Sequence, residues 1–150
     1  MANVFASERS INLGILVSRL ALGTSLLMIG YNQFSGGVGV FASSTAAAAY
    51  LPRWMHGDVA HIYSQFLPFI EMAAGGMLVL GLTTRFGAFL ATVVTGVMLS
   101  ARGIHLPPDP DGHLPVYVAL AFLLLCLGGG RLTLDGVLFR RKSLAETGGA

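Results

Sequence analysis

Two charged side chains stand inside long apolar stretches of this sequence, and they are the residues best suited to chemistry. Arg19 is the only charge in the first apolar segment, and Glu71 is the only charge in the second. An unpaired arginine or carboxylate near the centre of a bilayer costs on the order of 3 kcal/mol. Arg19 lies about nine residues from the start of its segment and Glu71 about eleven from the end of its own. Because antiparallel segments would bring these depths together, we predict a buried Arg19–Glu71 ion pair.

The predicted pair has two interpretations. In the structural one it fixes the register between two helices and has no further role. In the functional one it lines a polar pocket for a quinone headgroup, a proton or a small anion. Ionisable residues inside a membrane are functional candidates by default. A matched pair, however, can neutralise its own charges and needs no ligand to do so. The sequence leaves both interpretations open.

The histidines are weaker candidates. His105 and His113 flank a proline-rich loop, and His61 stands at the start of an apolar segment. Neither placement suits a haem inside a bundle. A zinc site formed by His56, Asp58 and His61 is conceivable, but the spacing matches no specific ligand motif. We therefore interpret the histidines as solvated loop residues, predict no metal site, and keep His105 as a minor candidate.

Composition and periodic apolarity identify the elements that must position these residues. The chain is 54% hydrophobic and 11% charged, with a mean hydropathy of +0.72. A soluble domain carries roughly 25% charged residues. Four apolar segments approach the roughly 20 residues that a membrane span needs, at about 11–34, 61–82, 84–101 and 114–130. We predict an all-α membrane fold, a four-transmembrane-helix bundle forming one domain over residues 1–150. The fourth span is the weakest, and a short interfacial helix is expected near residues 40–50.

The distribution of basic residues predicts the orientation. With four crossings, both termini and the turn at Arg85 share one side. Lysine and arginine number six on that side against two on the other, and the richer side is normally cytoplasmic. An N-in/C-in topology follows. The partner is the lipid bilayer, and the small net charge of +2 with no basic–aromatic patch excludes nucleic acid.

Small residues recur at four-residue steps along the third segment, which lets a neighbouring backbone approach closely. They are Thr84, Ala88, Thr92, Gly96 and Ser100. We predict that this strip packs inside the bundle. A homodimer seam is the alternative.

Three motifs resemble those of the DoxX family. The residues from Arg19 to Gly23 resemble its R-x-x-L-G signature, and the stretch from Glu71 to Arg85 resembles E-x-x-x-G-G…L-G-x-x-x-R. The residues from Gly130 to Asp135 resemble G-R-x-S-L-D, with Thr133 in place of serine. Each motif is weak alone, but together they cover nearly the whole chain in order.

The resemblance implies four transmembrane helices in a bacterial or archaeal cytoplasmic membrane (the inner membrane where there are two) and makes Arg85 a further candidate. Some relatives are subunits of a thiosulfate:quinone oxidoreductase, and others belong to redox or oxidative-stress complexes. Two departures count against a thiosulfate-type activity. Gln33 stands where many relatives carry lysine, and Val116-Tyr117 stands where many carry a Glu-Tyr pair.

Three functional hypotheses remain at this point. The first is a quinone- or redox-linked subunit, an oxidoreductase component that needs a membrane or redox partner because this chain shows no thiol pair or cofactor motif of its own. Quinone is the one cofactor it implies. The second is a non-enzymatic scaffold or assembly factor, and the third is a small anion carrier.

Overall fold

A computed structural model of the chain describes residues 2–44, 51–52, 54–102, 113–130 and 133. All regular secondary structure in these ranges is helical. The helices are α1 (Ala2–Ser35), α2 (Val38–Ser43), α3 (Gly57–Leu80), α4 (Thr84–Arg102) and α5 (Leu114–Leu127). Three of them, α1, α3 and α4, are long and apolar enough to cross a membrane. The predicted all-α membrane fold is therefore confirmed at this level.

Helix boundaries differ from the prediction at the polar ends. Helix α1 begins at Ala2 rather than near residue 11, and α3 begins at Gly57 rather than near residue 61. Apolarity marks the part of a helix that lies in lipid, whereas the helix itself continues through polar residues that also favour helix. In the region where an interfacial helix was expected, near residues 40–50, the structure has the helix α2, and residues 45–50 lie outside the described part of the chain. Its interfacial position stays a prediction.

Helix α5 is shorter than predicted. It ends at Leu127, because Gly128 has φ 75° and Gly130 has φ 70°, values that leave the right-handed helix. Its 14 residues cover only about 21 Å at 1.5 Å per residue, against roughly 30 Å of bilayer hydrocarbon. The fourth apolar segment is present as a helix, but its length falls short of a span.

The four longer helices form a closed ring. Helix α1 packs on α3, α3 on α4, α4 on α5, and α5 returns to α1. The apolar core is drawn from all four helices: Leu22, Leu26, Ala74, Leu78, Ala88, Ala91, Ala121 and Leu124. Many large apolar side chains point outward, including Phe66, Phe69, Phe86, Phe89 and Phe122. So apolar an exterior suits lipid rather than water.

Close approach of glycines fixes the register between α1 and α3. A Cβ added to Gly75 would lie 2.7 Å from the carbonyl oxygen of Gly23, and one on Gly30 would lie 2.8 Å from that of Pro68. Both spacings are shorter than real side chains allow. The two backbones therefore meet only because these positions carry no side chain.

The predicted small-residue strip on α4 is only half inside the bundle. Thr84 and Ala88 are buried, whereas a Cβ on Gly96 would meet nothing within 4 Å and Ser100 is exposed. A four-residue step drifts around a helix with 3.6 residues per turn, so the strip leaves the buried face. The homodimer alternative for its outer half stays a prediction.

A tight turn joins α3 to α4. Gly81 adopts a left-handed conformation with φ 70°, and its N–H donates to the Met77 carbonyl at 2.9 Å. We call this side of the bundle the turn end. The opposite end is where α1 stops and α3 begins.

Candidate functional site

The predicted Arg19–Glu71 ion pair is not formed. Within the described residues, neither carboxylate oxygen of Glu71 has a hydrogen-bond partner, although the side chain is 0% exposed. Arg19 is 3% exposed and donates from Nη1 to the carbonyl oxygen of Gly129 at 3.3 Å. The prediction was right that both charges are buried and wrong that they meet.

The physical reason is the register of α1 against α3. The guanidinium of Arg19 lies against Gly81 at the turn end, 2.8 Å from where a Cβ on that glycine would stand. Glu71 lies ten residues before Gly81, which is about 15 Å along a helix. The predicted depth of Arg19 was counted from the start of the apolar segment of α1. That segment starts several residues before the contact between α1 and α3 begins.

A different set of polar groups surrounds Glu71. The Gln33 amide of α1 and the Tyr63 hydroxyl of α3 both lie within electrostatic reach of its carboxyl. Among the described residues, none of the three has a hydrogen-bond partner for its buried side-chain atoms: Gln33 Oε1 and Nε2, Tyr63 Oη, and both Glu71 oxygens. Gln33 lies close to the Glu71 carboxyl, but the two side chains form no hydrogen bond that meets ordinary distance and angle limits. We call Gln33, Tyr63 and Glu71 the acid cluster.

Proline adds a bare backbone carbonyl to the same face of α3. Pro68 lies inside the helix and has no N–H, so the carbonyl of Ser64 lacks its usual helical donor. Ser64 is buried and lies two turns before Glu71. Its hydroxyl donates to the Ala60 carbonyl at 2.8 Å and so does not compensate for the donor that its own carbonyl lacks. The interior near the acid cluster therefore offers acceptors as well as donors.

Such a cluster is chemically unusual. Buried polar groups are almost always hydrogen-bonded, because leaving one unmatched costs about 1–3 kcal/mol. Here three polar side chains within electrostatic reach of one another carry unmatched buried atoms, inside helices of membrane-spanning length. A carboxyl, an amide and a phenol together provide donors, acceptors and an exchangeable proton. This set can hold a small polar headgroup and can give it or take from it a proton.

A second polar group of residues lies at the turn end. Arg19, Gly81, Thr84 and Gly129 meet there, and we call them the arginine corner. Thr84 Oγ1 and Arg19 Nε are buried and lack hydrogen-bond partners in the described part of the chain. The bond from Arg19 satisfies a carbonyl in the irregular segment that follows α5, where no helix supplies a donor. A backbone carbonyl outside regular secondary structure needs a donor of this kind when it is shielded from water.

The minor candidates are scattered. Gln33 joins the acid cluster, whereas Arg85 is exposed at the turn end beside Gly128. His105 lies outside the described residues. Among those that are described, His56, Asp58 and His61 do not come together as metal ligands.

Sequence reasoning missed Tyr63 and the contribution of Pro68. A tyrosine near the start of an apolar segment usually lies at the membrane–water interface. The sequence therefore did not indicate that the Tyr63 hydroxyl is buried inside the bundle. The proline was a usable signal, because a proline inside an apolar helix frees a carbonyl at a predictable position.

A family model described as DoxX matches residues 14–103. The match covers 90 of the 150 residues and includes the whole acid cluster together with Arg19. No curated protein and no solved structure matches.

Proposed function

This chain belongs to the DoxX family, and we propose that it is a quinone-linked subunit of a membrane redox complex, with the acid cluster as its quinone-headgroup site. One observation carries the proposal. The polar side-chain atoms of Glu71, Gln33 and Tyr63 are buried without hydrogen-bond partners among the described residues, inside helices of membrane-spanning length. A ligand that both accepts and donates hydrogen bonds would satisfy all three.

The depth of the site supports a lipid-soluble ligand. Glu71 lies ten residues from the turn, about 15 Å along α3 and so near the middle of a hydrocarbon layer roughly 30 Å thick. Its side chain is fully buried, which keeps water from the carboxyl. A water-soluble ligand would have to cross half the apolar layer to reach it.

Each residue of the cluster has a distinct part. Gln33 Nε2 and Tyr63 Oη would donate to a carbonyl oxygen of the headgroup and orient it. A Glu71 oxygen would hold the proton that is exchanged with the adjoining headgroup oxygen. When bound, a quinone would supply two-electron, two-proton redox chemistry. Glu71 would exchange one of the two protons, and a partner subunit would exchange the electrons and the second proton. Glu71 is thus proposed as the proton donor and acceptor.

The proposal extends to topology and location. Arg9 near the start of α1 and Arg85 both belong to the turn end, and the basic excess favours this end as cytoplasmic. We therefore propose a bacterial or archaeal cytoplasmic membrane with both termini inside. In a Cys126→Ser background, an Arg9→Cys variant should resist an impermeant thiol reagent in intact cells. Labelling of this cysteine in intact cells would show that the N-terminus lies outside, which is the opposite orientation.

Quinone binding is the decisive test. Full-length protein is purified in maltoside, its bound quinone is extracted and quantified, and decylubiquinone is titrated back. Glu71→Leu should lose about tenfold or more in affinity, and Tyr63→Phe, which removes one hydroxyl, about three- to tenfold. The matched control is Gln65→Leu, because Gln65 is a polar α3 residue that pairs with His61 instead.

The outcomes separate the alternatives. Equal affinity in Glu71→Leu and Gln65→Leu would reject the site. A stable partner protein without quinone would favour the scaffold function, and uptake of an anion into proteoliposomes would favour the carrier.

A further inference from the structure

The two side chains that accompany Glu71 in the acid cluster lie on the same side of it. Gln33 is in the last turn of α1, two residues before that helix ends at Ser35. Tyr63 lies two turns before Glu71, toward the start of α3. Both positions are toward the opposite end of the bundle. We propose that Glu71 exchanges its proton with the aqueous face at this opposite end, by way of Tyr63 and Gln33, and is closed to the face at the turn end.

This proton route deepens the proposed function and rests on it for the quinone. In the proposed topology the opposite end lies outside the cytoplasm, so a proton that Glu71 takes from a quinol would leave to the outside. The step is a proton transfer in which no electron moves. An O–H bond of the carboxyl breaks, a water oxygen takes the proton, and the carboxylate regains a proton by the same route.

Unmatched polar atoms mark the route. Tyr63 Oη and both side-chain polar atoms of Gln33 are buried without hydrogen-bond partners among the described residues. Pro68 leaves the carbonyl of Ser64 bare, one residue beyond Tyr63 in the direction of Glu71. A buried water is held by about two to four such groups. Waters bound between them would connect the carboxyl to the end of α1.

The opposite end also has a thin cover and exposed titratable groups. The helix α2 packs there on α1 and α3, and none of its six residues is buried. Exposed titratable side chains stand at the starts of α3 and α5: His56, Asp58, His61 and His113. Histidine takes up and releases protons near neutral pH, so His61 provides a proton acceptor two residues from Tyr63.

The interior on the turn-end side of Glu71 is apolar. Leu22 and Leu26 of α1 and Ala74 and Leu78 of α3 are each 0–1% exposed and belong to one core cluster. The buried residues of α3 that follow Glu71 are glycine, alanine and leucine. An apolar core of this kind offers water no hydrogen-bond partner and stays dry. A chain of waters from the turn end would have to cross it.

Arg19 adds an electrostatic barrier on the same side. Its side chain is 3% exposed at the arginine corner, and it lies about 15 Å from Glu71 along the bundle. A fixed positive charge in a poorly hydrated place opposes the passage of an excess proton. The turn-end side is therefore unfavourable for proton entry in both packing and charge.

The other titratable groups on the neighbouring helices leave Glu71 as the proton carrier. Among the described residues, the buried face of α1 has Arg19 as its one titratable side chain, and α2 has none. Helix α4 carries Arg85 and Arg102 at its two ends. On α5, Tyr117 is half-buried against the apolar core and Cys126 is exposed. Glu71 is the one buried carboxyl in the described part of the chain.

Carbodiimide labelling with a separate pH on each face tests the route. Full-length protein is reconstituted in liposomes, and vesicles with the N-terminus outside are selected, which places the opposite end in the lumen. Dicyclohexylcarbodiimide crosses lipid and reacts with a buried carboxyl only when it is protonated. Raising the lumenal pH from about 6 to about 9 should slow labelling of the Glu71 peptide about tenfold or more, and the same change outside should alter it less than about twofold. Glu71→Gln defines the background.

Infrared spectroscopy measures the same connection at one pH. At low pH in maltoside, transfer to D₂O shifts the carboxylic C=O band of Glu71, which is identified by its loss in Glu71→Gln. Tyr63→Phe and Gln33→Leu should each slow this exchange severalfold. Thr95→Val is the matched control. Its hydroxyl is buried about 16 Å from the turn end of α4, but already donates to the Ala91 carbonyl at 2.7 Å.

The outcomes separate the route from the quinone site. Labelling that follows the external pH, both faces alike or neither face would overturn the proposal. Exchange in Tyr63→Phe and Gln33→Leu as fast as in Thr95→Val would overturn it too. Neither measurement uses a quinone. One-sided labelling in a protein that binds no quinone would therefore reject the proposed function alone, and two-sided labelling in a protein that binds quinone would reject the route alone.

Discussion

The acid cluster and the arginine corner are two buried polar regions of one bundle, and they differ in how they are satisfied. Arg19 reaches a backbone carbonyl and lies at the end of the bundle. Glu71 lies about 15 Å deeper and has no hydrogen-bond partner among the described residues. The arginine corner uses its charge to hold the backbone after α5, although Arg19 Nε and Thr84 Oγ1 have no hydrogen-bond partner among the described residues. The other leaves its polar atoms unmatched, as a binding site does before its ligand arrives.

The difference shows that backbone register outweighs charge matching. The sequence placed Arg19 and Glu71 at similar depths, and an ion pair between them would have offset the free-energy cost of burying both charges. The glycine contacts between α1 and α3 impose a different alignment, in which Arg19 faces Gly81 and Gly30 faces Pro68 and Glu71. Close packing of the two backbones therefore determines which polar groups can meet.

Cross-linking gives the largest expected effect, because it distinguishes the two registers in an all-or-none way. The rings of Phe34 and Phe69 lie 5.6 Å apart, and both are exposed. In a Cys126→Ser background, cysteines at these two positions should cross-link almost completely with a short bifunctional thiol reagent. The control pair is Phe34→Cys with His56→Cys, which the ion-pair register would bring together. If only the control pair cross-linked, the helices would have the register that the predicted Arg19–Glu71 ion pair requires.

Adjacent glycines on α3 provide the next test. A methyl group on Gly75 would collide with the Gly23 carbonyl oxygen, whereas one on Gly76 would meet nothing within 4 Å. Gly75→Ala should lower the free energy of unfolding by about 2 kcal/mol. Gly76→Ala should leave it unchanged or raise it by up to about 1 kcal/mol through helix propensity. Equilibrium unfolding in mixed maltoside and dodecyl sulfate micelles measures both. Equal effects would mean that the α1–α3 contact does not set the register.

The two buried charges should respond with opposite sign when each is replaced by leucine. Glu71→Leu removes an unmatched carboxyl and should raise the free energy of unfolding by about 1–3 kcal/mol. Arg19→Leu leaves the Gly129 carbonyl bare and should lower it by about 1–2 kcal/mol. The same micelle titration provides the measurement. Since the sites do not touch, the double variant should equal the sum within about 0.5 kcal/mol. A favourable coupling well above that value would contradict the separation.

The sequence was informative about which residues matter and silent about which of them meet. Arg19 and Glu71 could be selected because a charge in an apolar segment is rare and costly. Their relative depth could not be predicted, because α1 begins well before its apolar segment and glycines on two helices determine how α1 and α3 are aligned. Register depends on contacts between segments, and no pattern within one segment reports it.

The remaining misses have the same origin. Tyr63 looked like an interfacial aromatic, and only the folded bundle brings its hydroxyl within electrostatic reach of the Glu71 carboxyl. The fourth segment was expected to extend to residue 130, but glycines with positive φ end the helix at Leu127. Composition identified the membrane fold, since it depends only on how much apolar surface the chain must place in lipid.

The shortness of α5 has a consequence for the surrounding lipid. If α5 crosses the bilayer, its 14 residues reach about 9 Å less than the hydrocarbon layer is thick. The irregular backbone after it lies against α1 and α4, with Arg19 donating to Gly129. The hydrophobic mismatch of such a crossing would lie on a single flank of the bundle, where local thinning of the membrane accommodates it at the lowest free-energy cost. We expect the bundle to be more stable in bilayers of short acyl chains than in thick, ordered ones.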